Sequence, residues 1–267
     1  MKFDMSRAWS EAVAMISANR EVLLIIAGIF FFLPAVLQGF VMPPMSELLS
    51  GSDPQVMQRR MLDAYGSYGW LISLVVLAQV VGTLAMLALL RHERRPTVGE
   101  AIGSGVAGLL PVIGAYLLLG LAFTLLVVLI VAAGLASTAL GIVLALLIGI
   151  AFIYISVRLT LLLPVIAIDQ VRNPLTAIKR SWAATGGNVL RILLFFVLLS
   201  IAYIVLALVI GFLVGGIGLL LGQGGALVLE GLAAGVIGAV ATMVFTAVSA
   251  AIHRQLTGPA PQPAPYE

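Results

Sequence analysis

The chain reads as an all-α, polytopic membrane bundle of six transmembrane helices. Three observations carry that expectation. Between Arg95 and Arg158 the only charged residue is Glu100, and between Ile192 and Ile252 the only one is Glu230. A soluble domain cannot leave stretches of that length uncharged, because its surface must face water, whereas about 18 or more apolar residues in a row suit a bilayer-spanning helix. The composition agrees: 62% of residues are hydrophobic and 9% charged, against about 25% charged in ordinary globular chains. The third observation is the segregation of Lys and Arg described below. A β-barrel would show alternating segments of about ten residues, and the runs here are continuous Leu, Val, Ile and Ala with scattered Gly.

Six spans follow, at about 22–42, 69–90, 109–133, 139–163, 189–213 and 227–252. The first apolar run starts at Val22, late for the core of a signal peptide, and is long enough to span, so it reads as a retained first helix. Pro43 and Pro44 end it. The charged run from Arg91 to Arg95, closed by Pro96, ends the second span. Gly134 to Thr138 is a tight turn between the third and fourth, and the glycine-rich stretch from Gly215 to Gly225 separates the fifth from the sixth. Residues 258–267 are a Pro-Ala tail expected to be disordered.

When the loops are assigned alternately to two sides, one side receives Lys2, Arg7, Arg20, Arg91, Arg94, Arg95, Arg158, Arg172, Lys179, Arg180, Arg191 and Arg254. The other receives only Arg59 and Arg60. Cytoplasmic loops carry the excess of Lys and Arg, so both termini are expected in the cytoplasm. Trp9 and Trp182 then fall at the cytoplasmic interface and Tyr65, Tyr68 and Trp70 at the outer one, the depths aromatic belts occupy.

Segments outside the spans carry amphipathic patterns. Residues 1–21 put Met5, Trp9, Val13 and Ile16 on one helical face and Arg7 and Glu11 on the other. Asn173-Pro174 opens a second such helix, with Asn as cap and Pro in the first turn, and Gly186-Gly187 closes it. Leu175, Ile178 and Trp182 share its expected lipid face. A weaker third copy begins at Thr97, with Val98, Ile102 and Val106. Without gaps, Ala12, Ala101 and Ala177 align, as do Ala18, Ala107 and Ala183, which suggests three repeats of one interfacial helix plus a helical hairpin.

The region from Tyr154 to Leu194 resembles the membrane domain attached to some bacterial glycerophosphodiester phosphodiesterases and the stand-alone six-span proteins of the YciC type. The residues that carry the resemblance are Arg158, Pro164, Asp169, the run Ala177-x-x-Arg180-Ser181-Trp182, and Thr185-x-Gly187-Asn188. It implies a six-span bacterial cytoplasmic-membrane protein of undefined molecular role. The fused relatives carry a separate soluble catalytic barrel with metal-binding carboxylates and His. This sequence has no such region, so phosphodiesterase activity does not transfer.

Chemistry-bearing groups are sparse. The chain has no Cys, which removes thiolate metal sites and Cys nucleophiles. There is no His pair, close carboxylate pair, Gly-x-Ser-x-Gly elbow or phosphate loop, and His92 and His253 read as isolated residues. No catalytic residue, cofactor or metal site is therefore expected, and no nucleic acid. Membrane lipids, anionic ones among them, are the expected partners, together with a possible membrane-protein partner. The candidate headgroup-level residues are Arg158, Asp169, Arg172, Lys179, Arg180, Trp182 and Arg191. Arg158, read as a turn and a half inside its span, either snorkels to the interface, pairs with Asp169 or contacts a lipid phosphate. The basic residues around it either fix topology or attract anionic headgroups. Glu230 is the candidate intramembrane polar site, reaching water at the outer end of its span or serving a proton or cation pathway. Gln38 and Gln79 are expected to hydrogen-bond across helices, and Gly211-x3-Gly215 and Gly231-x3-Gly235 to mark close helix contacts. A lipid-interacting or scaffolding role follows, with transport of an ion, small molecule or lipid as the alternative.

Overall fold

The computed structural model describes residues 2–43, 45–51, 53–91 and 97–258. Part of the Arg91–Pro96 break and nearly all of the expected tail at 258–267 lie outside the described residues. Within them the chain is helical, with no strand. Its elements are α1 (Met5–Ala27), a π-helical turn (Gly28–Phe32), α2 (Leu33–Val41), α3 (Met45–Leu48), α4 (Pro54–Leu89), α5 (Val98–Ala136), α6 (Thr138–Arg158), α7 (Leu162–Ala167), α8 (Pro174–Ala184) and α9 (Val189–Thr257). Six helices are long and apolar enough to cross a membrane: Met5–Val41, Pro54–Leu89, Val98–Ala136, Thr138–Ala167, Val189–Gly222 and Gly224–Thr257. The count is the expected one.

The first apolar run is helical throughout, with one non-helical residue at Asn19 (φ −126°, ψ 17°). Asn19 uses its side-chain amide to donate to the Met15 carbonyl at 2.9 Å, which occupies an acceptor where the helix is interrupted. The π-helical turn precedes Pro34, which has no N–H and whose ring crowds the carbonyl four residues earlier; the wider turn takes up that mismatch. It also sets Phe30 and Phe31 against Gly82, where an added Cβ would lie 2.5 Å from Phe30 Cβ.

α5 is one 39-residue helix rather than a short interfacial helix followed by a span. Thr97 and Glu100 form a reciprocal capping box at its start, and no proline stands before Pro111. Its burial still divides it in two. Ala101, Gly105, Gly108, Pro111, Val112 and Ala115 are buried, and beyond them only Ala133 is. The first part packs on α4 and α7 at backbone distance: a Cβ on Gly105 would sit 2.6 Å from the Val81 carbonyl oxygen. The second part pairs with α6 across the Ser137 break, where Gly141 faces Gly134 with room for no side chain.

α6 has 21 residues, about 31 Å at 1.5 Å per residue, which matches a hydrocarbon core of about 30 Å. Arg158 is its last residue, and the apolar fourth helix continues past it to Ala167. The chain then breaks through Leu159–Leu161 and continues as α7. α9 reverses at Gly222, whose φ of +71° suits glycine. The main apolar core lies at the end of the bundle where Phe3 and Asp4 meet the two ends of α9, and there Leu23, Ile26, Leu87, Ile192, Val248 and Ile252 are fully buried. The aligned alanines Ala12, Ala101 and Ala177 are all buried, and Ala18, Ala107 and Ala183 are all exposed.

The glycine expectations were partly overturned. Gly211, Gly215 and Gly231 have nothing within 4 Å of an added Cβ; of the two motifs only Gly235 meets another helix, at Phe32 and Val36. Gln38 donates to the Met42 sulfur one turn on, not across helices, because the side chain finds a polarizable acceptor on its own helix.

Candidate lipid-headgroup interface

α8 is built as its sequence requires. Asn173 accepts from the Thr176 N–H at 3.1 Å, Pro174 occupies the first turn, and Gly187, at φ +74°, follows the helix in the left-handed conformation. Of the Leu175–Ile178–Trp182 stripe only Ile178 is partly buried against the protein. Ala177, Ser181 and Thr185 are buried there, while Leu175 is 55% and Trp182 37% exposed. Small residues let the helix sit close to the bundle, which leaves its large apolar residues for the surroundings. α1 follows the same rule: Ala8, Ala12 and Met15 are buried, and Trp9 and Val13 are open.

Two hydroxyls fasten α8 to the end of α6. Ser181 Oγ donates to the Arg158 carbonyl at 2.9 Å, and Thr185 Oγ1 lies 3.2 Å from the same oxygen. That carbonyl needs outside donors because the helix ends at Arg158. The Arg158 side chain runs back over α8. Its guanidinium carbon is 4.5 Å from the Trp182 ring centroid and 5.7 Å from that of Tyr154, and the two rings meet edge-on at 5.9 Å. This is cation–π geometry. An added Cβ on Gly186 would lie 3.3 Å from Arg158 Nη1, so the missing side chain there leaves room for the guanidinium. Arg158 Nε is buried with no hydrogen-bond partner.

Asp169 is not the partner of Arg158. It faces His253 at 3.3 Å. His253, read from sequence as isolated, is 4% exposed, and the Thr257 hydroxyl lies 3.4 Å from its Nδ1. The turn that presents Asp169 passes through Gln170 at φ +55°, an uncommon conformation for a non-glycine residue. The contact ties the turn before α8 to the last turns of α9, and no motif spacing could have shown it across 84 residues. The two ends of α9 also hold residues 3 and 4. Phe3 N–H donates to Asn188 Oδ1 at 2.8 Å, Gln255 pairs its amide with both backbone groups of Asp4 at 3.2 Å, and Arg254 donates to the Leu90 carbonyl at 3.3 Å.

Arg172, Lys179, Arg180 and Arg191 are all exposed. Among the described residues the ion pairs are Arg7–Glu11 and Asp169–His253, so no carboxylate there neutralises these four cations. Glu230 is exposed on the second limb of α9. The cleft between α5 and α6, the one between α4 and α9, and the one beside α3 have none of Arg158, Asp169 and Glu230 on their walls. Among the described residues no group of three or more His, Asp or Glu side chains could hold a metal.

The family described as the membrane domain of glycerophosphoryl diester phosphodiesterase matches residues 129–262. That is 134 of the 267 residues, half of the chain, from the last turns of α5 through the whole of α9. It takes in Arg158, Asp169, α8 and His253. The match is to the membrane domain, and no catalytic domain is matched. No curated protein and no solved structure matches the chain. The protein is an integral membrane protein, and it belongs to the family of glycerophosphoryl diester phosphodiesterase membrane domains.

Proposed function

We propose that this membrane domain acts without a catalytic centre of its own, as a lipid-binding surface built on α8 at headgroup level. The observation that carries the reading is the division of α8. Its small face is fastened to α6, while Leu175, Trp182, Lys179 and Arg180 are left open together. Apolar side chains suit the acyl boundary and the cations suit phosphate. The twelve-to-two split of Lys and Arg supports a cytoplasmic position for α8 and both termini in a bacterial inner membrane, where the leaflet is anionic. At about 1 kcal/mol per basic residue, Arg172, Lys179, Arg180 and Arg191 together contribute on the order of 4 kcal/mol. Such a surface also suits a scaffold that holds a membrane-protein partner in an anionic lipid environment.

The test is co-purification of phosphatidylglycerol with the full chain and with Lys179→Glu/Arg180→Glu. The reading expects the variant to lose bound phosphatidylglycerol. Unchanged retention with intact topology would reduce these charges to a topology signal.

A second reading, transport, draws on the cleft of about 420 Å³ between α4 and α9, where Thr83, Tyr203, Thr242, Thr246 and Ser249 bring hydroxyls together at membrane depth. It expects Thr242→Val/Ser249→Ala to alter solute flux in reconstituted vesicles. Equal flux would remove it.

A further inference from the structure

α5 and α6 enclose a cleft of about 530 Å³, within the roughly 300–1,000 Å³ range of small-molecule sites. Its walls are apolar. Phe123 and Phe152 meet with ring centroids 5.1 Å apart, and Gly120 leaves an opening where an added Cβ would touch nothing within 4 Å.

The position of the cleft is informative. It extends from Tyr116 to Leu126 on α5 and from Ile148 on α6 to Leu159 just past its end. Ten or eleven residues at 1.5 Å make about 15–17 Å, close to half of a hydrocarbon core of about 30 Å. The cleft thus lies along the half of α6 that ends at Arg158. Its polar groups, Tyr116 and Ser156, stand at that same end, where they suit the ester linkages of a lipid whose chain fills the cleft.

The mouth is basic. Leu162, on the cleft wall, belongs to the buried cluster of Val112, Ala115, Val165 and Val171. Gly114, half a turn before Tyr116, faces Pro174 at 3.3 Å from an added Cβ. Arg172 lies between Val171 and Pro174 in sequence and is exposed, so it is a cation within reach of that end of the cleft.

We propose that this cleft seats one acyl chain of an anionic glycerophospholipid whose phosphate lies at the mouth against Arg172. The proposal rests on the reading of α8 as a headgroup surface and adds a specific seat for a single lipid. Charge complementarity selects an anionic headgroup over a zwitterionic one, and the one-leaflet depth selects an acyl chain.

The experiment is native mass spectrometry of the full chain extracted from vesicles of equimolar phosphatidylglycerol and phosphatidylcholine. The wild type should retain phosphatidylglycerol in preference to phosphatidylcholine. Gly120→Phe and, independently, Ala122→Phe fill the cleft and should bring phosphatidylglycerol down to the phosphatidylcholine level. Arg172→Glu should do the same. Gly211→Phe adds equal bulk at an exposed position where an added Cβ meets nothing within 4 Å and should leave retention unchanged. Wild-type retention in both cleft-filling variants would overturn the seat. If Lys179→Glu/Arg180→Glu loses the lipid while the cleft-filling variants keep it, the α8 reading stands and the acyl seat falls. Equal retention of the two lipids by the wild type would overturn the proposal at the mouth.

Discussion

Ser181 and Thr185 hold α8 through one carbonyl, and that arrangement gives a quantitative expectation. The Arg158 carbonyl has no partner within α6, because the helix ends there and the chain turns through Leu159–Leu161. Ser181 Oγ is 2.9 Å from it and fully buried. Thr185 has one hydroxyl proton to share among the carbonyls of Arg158 (3.2 Å), Ser181 (3.0 Å) and Trp182 (3.3 Å). Ser181→Ala removes one donor, and the Thr185 hydroxyl can then turn to the vacated oxygen. The cost is a single net hydrogen bond, about 0.5–1.5 kcal/mol, with the lower end favoured in a membrane, where such bonds average about 0.6 kcal/mol. Thr185→Val alone is milder still, since Ser181 stays in place. The double variant leaves a carbonyl without a donor, and that desolvation cost is about 1–3 kcal/mol. The two substitutions should therefore be more costly together than the sum of the singles, with a coupling on the order of 1 kcal/mol. The assay is equilibrium unfolding in mixed micelles of the wild type, both singles and the double. Additivity within about 0.3–0.5 kcal/mol would refute the shared-acceptor account.

Other contacts give further expectations. Gly105→Ala should destabilise by about 1–3 kcal/mol through overpacking, because its Cβ would meet the backbone of Val81 and Ala85. Gly103→Ala, open on every side, should be neutral or stabilising by up to about 1 kcal/mol from helix propensity; micelle unfolding compares the two. Asn188→Ala removes the acceptor of the Phe3 N–H and should speed limited proteolysis near the N-terminus with little change in the spans. His253→Ala breaks the contact with Asp169 and should raise amide exchange across Ile168–Asn173, whereas unaltered exchange there would mean the contact does not hold the turn.

The six spans, the Asn173 cap and the closing Gly187 were legible because each rests on local chemistry: apolar length, a side-chain acceptor, a permissive φ. The helix of α8 was legible for the same reason, and so was the outward position of Leu175 and Trp182; the small residues that face the bundle were not. In a bilayer both directions are apolar. Size then decides, and Ala177 and Ser181 go inward while Leu175 and Trp182 go outward. The glycines show the same limit. Gly105 and Gly141 make the close contacts and Gly211 and Gly215 do not, and spacing alone cannot distinguish them. Of the candidate site, the grouping of Arg158 with Trp182 is seen in the structure, while the Asp169–His253 contact joins residues that only the three-dimensional path of α7 and α9 brings together.

The most direct test of the central claim is the depth of α8 in a bilayer. The chain has no Cys, so single cysteines at Leu175 and Arg180 can carry spin labels without background. Power saturation against oxygen and a nickel chelate reports depth in phosphatidylglycerol-containing vesicles. A lipid-facing α8 predicts the label at 175 below the phosphates, favouring oxygen, and the label at 180 at headgroup level. Both labels open to the aqueous nickel reagent would contradict it.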